Sequence, residues 1–164
     1  MKQLLIVFLF IIYSNVVNCQ TASTTASGRV NAVQPLSITS TGGALNFGDI
    51  ILTGSLANYQ ITPALGQQFR IVGNPSRSVS ITFNQISLSN SVWVSLNGGT
   101  TGTLVFIPAV VNSVNNPITS GNFYPLVTSG AVAILDIRVG GSISVSSTQP
   151  QGDYTGTFTI SVSY

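Results

Sequence analysis

Apolar and polar residues alternate one by one along most of this chain, the period expected of half-buried strands. The longest such run closes the sequence, QGDYTGTFTISVSY. Gly152, Tyr154, Gly156, Phe158, Ile160, Val162 and Tyr164 fall on one face. Asp153, Thr155, Thr157, Thr159, Ser161 and Ser163 fall on the other. β-branched and aromatic residues dominate it, as a pleated, partly covered surface favours. The spacing predicts one strand through the whole run, with Tyr164 as its last inward residue.

The same period recurs upstream. Val79, Ile81 and Phe83 share a face in RSVSITFN. Ala131, Ala133, Leu135, Ile137 and Val139 do so in GAVAILDIRVG, with Asp136 and Arg138 opposite and expected to pair weakly in solvent. Ile143 and Val145, Phe69 and Ile71, and Val92, Val94 and Leu96 form shorter sets, the last with Trp93 on the opposite side. GTLVFIPAVV is apolar throughout and is expected to be covered on both faces. Gly42-Gly43, Gly73-Asn74-Pro75, Asn97-Gly98-Gly99, Asn115-Asn116-Pro117, Ser120-Gly121-Asn122, Gly140-Gly141 and Gln149-Pro150-Gln151-Gly152 read as turns, Asn97-Gly98 as the best hairpin signal. No segment after the first 19 residues shows a helical period with caps. Short strands separated by turns predict an all-β, antiparallel sandwich.

The first 19 residues break this pattern. Lys2 precedes an unbroken apolar stretch, Leu4 to Tyr13, and Val17 and Cys19 occupy the −3 and −1 positions of a cut before Gln20. This predicts a secretory signal at 1–19, too short for a stable span. A membrane anchor and a lipoprotein acylated at Cys19 are the other readings. Residues 20–28, QTASTTASG, are small and polar and read either as a flexible extension or as a strand seeking an edge. Residues 29–164 read as one sandwich domain, and the expected destination is secretion or a bacterial cell surface.

Loss of the leader would remove the only Lys and the only Cys. Arg29, Arg70, Arg77, Arg138, Asp49, Asp136 and Asp153 would then be the whole charge inventory, with no His or Glu. So few cations make no phosphate-binding surface, so no nucleic acid is expected, and no polybasic membrane patch. No disulfide framework follows, so stability must come from apolar burial and backbone ladders. A neutral surface rich in Ser, Thr, Asn and Gln offers little long-range repulsion between copies, which suits an assembled polymer.

The same inventory is poor in reactive groups. Acid–base catalysis draws on His or paired carboxylates, and the three Asp lie far apart in sequence. A serine nucleophile would lack a His, and zinc would lack its usual ligands. Asp49 or Asp153 could serve calcium only with carbonyl help. No catalytic residue, cofactor or metal is expected. Trp93, Tyr59, Phe123 and Tyr124 could form a sugar platform or pack in core and turns. Trp93 is the candidate glycan contact, because Val92 and Val94 occupy the opposite face.

Two patches carry a resemblance. ALNFGDI at 44–50 follows VQPLSIT at 33–39, and LDIRVGGSISVSSTQPQGDYTGTFTISVSY closes the chain; FRIVGNPSRSVSITF at 69–83 joins them. Together they resemble the DUF4402 family of secreted bacterial β-domains, itself similar to spore-coat-U-like and chaperone–usher pilin domains. The resemblance implies an immunoglobulin-like sandwich of pilin type whose terminal strand, Gly152 to Tyr164, is a subunit-contact strand where a periplasmic chaperone would also dock. It implies a donor strand in residues 20–30, carried by Ala22, Ala26, Gly28 and Val30, that adds to a neighbour's groove. The chain departs from many pilins in having no cysteine pair and no large apolar donor residues. An alanine would bury less than about 1 kcal/mol. The expected function is a structural subunit of a bacterial cell-surface filament or fimbria-like layer, forming homo-oligomers through β-strand contacts. The alternative is a monomeric or tip-located adhesin or carbohydrate-binding module.

Overall fold

The computed structural model describes residues 23–30 and 34–164. The expected signal at 1–19, with Cys19, and Ala22 of the expected donor lie outside the described residues. The chain divides after Ala32 into two units. In the first, Ser23–Val30 carries neither helix nor strand and is exposed, Val30 at 93%.

The second unit is an all-β sandwich, two antiparallel sheets packed face to face. Its strands are β1 (Ser37–Ser40), β2 (Ala57–Ile61), β3 (Gln67–Gly73), β4 (Ser78–Phe83), β5 (Ile86–Ser89), β6 (Thr103–Asn112), β7 (Phe123–Pro125), β8 (Val127–Ser129), β9 (Val132–Val145) and β10 (Ile160–Ser163). The larger sheet runs β1-β3-β9-β6-β5, with β2 and β8 also on β9; the smaller runs β10-β4-β7. β9 is the spine. One edge of it takes β3 (Phe69 opposite Ile137) and then β2 (Tyr59 opposite Ile143). Its other edge takes β8 and then β6 (Val110 opposite Val139).

Alternation explains the core. Ala133, Leu135, Ile137 and Val139 of β9 are buried with Ile71, Val79 and Ile81, and this first cluster is sandwiched under the smaller sheet. Leu104, Phe106, Ile143 and Val145 form a second cluster further along the same sheet.

Six expectations are corrected. Ser91–Asn97 is not a strand but a short helix, α1, which Gly98 ends at φ +76° with its N–H on the Val94 carbonyl, 2.8 Å. Asn97-Gly98 is therefore a helix end and not a hairpin turn. Gly140-Gly141 is no turn; β9 runs straight through it, because Ile61 and Phe106 approach so closely that a Cβ there would collide with them. In the closing run the facing is as expected, but the ladder spans only Ile160–Ser163, and Tyr164 lies just past it, 42% exposed. β6 is covered on one face alone, leaving Val105 and Ile107 exposed. Asp136 pairs not with Arg138 but with Arg70, its cross-strand neighbour, through Nε–H to Oδ1 at 2.7 Å and Nη2–H to Oδ2 at 2.9 Å. Arg138 donates instead to the Ser113 carbonyl, 2.8 Å.

Candidate functional site

The two clusters are covered differently. β4, β7 and β10 face the first as a laddered sheet. Over the second lie two extended stretches outside any strand, residues 44–52 and 149–158. Leu45, Phe47 and Ile50 of the first stretch turn inward, as do Tyr154 and Phe158 of the second. Between them opens a groove of about 890 Å³, floored by Ile86, Leu88, Leu104, Phe106, Ile143 and Val145.

The backbone of these walls is sparsely bonded. Residues 43–56 make no backbone–backbone hydrogen bond with another described residue. Gly48, at φ +71°, gives its N–H to Asn46 Oδ1 at 2.8 Å, closing a local turn. In 149–158 the one point of ladder is Thr155, which exchanges bonds of 3.0 and 2.9 Å with Ser89. Backbone groups left unpaired beside an apolar trough are what an added strand would satisfy.

The second wall is pinned at its start. Asn90, fully buried, donates from Nδ2 to the Gln151 and Thr100 carbonyls at 2.9 and 3.2 Å and accepts the Gly102 N–H at 2.7 Å. Tyr154 donates its hydroxyl to the Pro150 carbonyl and accepts Gln149 Nε2, both 2.7 Å.

The structure distributes the expected site residues unevenly. Gly152, Tyr154, Gly156 and Phe158 line the groove. Phe158, Ile160 and Val162 pack on the first cluster. Tyr164 stands apart under Arg77, whose guanidinium lies 5.2 Å from the ring centre. Ala26, Gly28 and Val30 are all exposed. Trp93 is half-buried on α1, against the position a side chain at Gly152 would take. Tyr59 joins the second cluster, Tyr124 the first, and Phe123 is exposed. Asp49 and Asp153 both line the groove, and the described residues contain no group of three or more metal-binding side chains.

Sequence reasoning passed over two contributors. Leu45, Phe47 and Ile50 were visible as a short apolar set, but nothing in them announced a groove wall. Asn90 gives no local signal, since its partners are ten or more residues away.

The family model described as Domain of unknown function (DUF4402) matches residues 21–164. The chain belongs to the DUF4402 family. No curated protein and no solved structure matches it. Within this DUF4402 chain, the match takes in both groove walls and the exposed Ser23–Val30 stretch.

Proposed function

We propose that this chain is a structural subunit of a bacterial cell-surface filament or fimbria-like layer, exported by its leader and joined copy to copy through β-strand contacts. One observation carries the reading: the second apolar cluster is faced by a groove between walls with a single point of ladder, at Thr155, where a sandwich would ordinarily place a strand. A strand from outside would bury apolar floor and pair idle backbone groups together. The near-neutral charge inventory favours close approach of copies. A periplasmic chaperone would cover the same groove before assembly. An adhesin role resting on Trp93 draws less support, since that ring is half-buried on a helix.

Negative-stain microscopy of the purified protein at high concentration tests the reading. Strings or filaments are expected, and deletion of residues 20–28 is expected to abolish them. A protein that stays monomeric at every concentration would sink it.

A further inference from the structure

The outer face of the larger sheet carries a second pocket, of about 450 Å³, and no residue lines both it and the groove. β3 and β9 build it by alternation. Ile71, Ile137 and Val139 are buried in the core, so Gln68 and Arg70, with Asp136 and Arg138, stand on the opposite face. The register places Gln68 beside Arg138 and Arg70 beside Asp136. Thr41 joins from the β1 side, its N–H on the Gln68 carbonyl at 2.9 Å, and Ser113 from the β6 side.

Positive charge is concentrated here. Two of the four arginines among the described residues, Arg70 and Arg138, line the pocket, against one acid, Asp136; Asp49 and Asp153 line the groove instead. Arg70 holds both oxygens of Asp136, and the pair is close to neutral. Arg138 is half-buried and forms no ion pair among the described residues. Its bond to the Ser113 carbonyl, a neutral acceptor, engages one of the donors that a guanidinium carries. The remaining N–H groups suit the two oxygens of a carboxylate. One net positive charge favours a monoanion, since a second negative charge would also face Asp136. Thr41, Gln68 and Ser113 bring hydroxyl and amide groups to the same pocket, which match a ligand rich in hydroxyls. The volume is that of an ordinary small-molecule site.

We propose that this pocket binds an acidic sugar of the uronic acid type, with Arg138 on its carboxylate and Gln68 and Asp136 on its hydroxyls. Arg70 fixes Asp136 in place to accept from them. The site is separate from the groove and does not depend on whether copies join.

Isothermal titration of the full chain with tri-galacturonate, against a neutral galactose trimer, tests it at low ionic strength, where the charge contact is least screened. Binding of the acidic trimer alone is expected. R138Q is expected to weaken it about tenfold, the order of a lost charged hydrogen bond. Q68A leaves Arg138 and its Ser113 bond in place, and is expected to weaken binding about threefold. Should R138Q lose its β-sheet spectrum, Q68A is read instead. No binding of the acidic trimer, equal binding of the neutral one, or binding that neither variant changes overturns the site. Tri-aspartate bound as tightly as the sugar acid would assign the pocket to acidic peptides and overturn the sugar. Filaments of R138Q should form as in the wild type, so a failed titration leaves assembly intact, and a chain that never assembles leaves the titration valid.

Discussion

Asn90 and Gly102 hold each other twice. The Gly102 N–H donates to Asn90 Oδ1 at 2.7 Å, and the Asn90 N–H donates back to the Gly102 carbonyl at 3.4 Å. With its amide on Thr100 and Gln151 as well, one buried side chain ties the end of β5, the approach to β6 and the second groove wall together. Asn90→Ala would strand three backbone groups, at about 1 kcal/mol or more each. A loss near 3 kcal/mol is expected, read as a fall in Tm of about 6–12 °C for a chain of this size. Hydrogen exchange at Thr155, whose N–H bonds the Ser89 carbonyl, should also quicken in this variant, because the wall loses its anchor.

Gly140 and Gly141 make a sterner requirement. Added methyl groups would meet the Ile61 carbonyl, and the Phe106 ring with the Ile107 carbonyl, respectively. Two of these three obstacles are backbone and cannot rotate aside. Either Gly→Ala change is expected to cost about 3 kcal/mol or more. Gly43→Ala, with open space around it, should stay within about 0.5 kcal/mol. Urea melts of the three variants decide this, and similar midpoints for all would refute the close approach of β2 and β6 to β9.

Acid should reach this protein through Asp136. The hydrogen bonds from Arg70 hold its carboxyl below the usual carboxylate range, against a smaller opposing effect of burial. A depressed folded-state value means that the stabilisation is present above about pH 4 and is lost as the pH falls through that value. With no His or Glu in the chain, stability should be nearly flat from about pH 5 to 9. A melting series is expected to show this plateau and an acid decline, with the decline reduced in Asp136→Asn. A sharp transition inside the plateau would contradict the charge inventory.

Tyr164 fastens the two ends of the sandwich unit. Its hydroxyl accepts the Asn74 N–H at 2.7 Å and donates to the Gln34 carbonyl at 3.3 Å. Tyr164→Phe should cost about 1 kcal/mol. Tyr164→Ala should cost more, because the contact with Arg77 goes too. Equal Tm values for the two variants would show that the ring contributes nothing.

Alternation told which side of each strand is covered, and it did so well for Val79, Ile81, Ile137, Val139 and Ile143. It carries no information about neighbours. The closing run faces as its period requires, yet Thr157 and Thr159 carry no ladder bond, and the pairing with β5 stops at Thr155. Asp136 and Arg138 share a face, but the residue directly opposite on a paired strand is nearer than the one two positions along, so Arg70 wins the carboxylate. Val92, Val94 and Leu96 suit a strand by type, and also place Val92 and Leu96 four apart on a helix face; the glycines at 98 and 99 and the buried Asn90 decide for the helix. A glycine pair signals a turn or a crowded strand equally well, and only the contacts of Gly140 and Gly141 separate the two. The groove was least legible of all, for it depends on what the smaller sheet fails to reach.

The position of β9 has a consequence for how the chain reaches its native state. β1 can pair with β3, and β5 with β6, as soon as those segments exist, but nothing joins the two pairs until Val132–Val145 has arrived, and β2 has no partner before then. Assembly of the larger sheet therefore waits on contacts distant in sequence, the kind that slow folding. Until the spine inserts, two short ribbons and two lone strands, β2 and β8, present open edges to the crowd around them. The open edges of this protein thus close late in its folding, when Val132–Val145 takes its place between them.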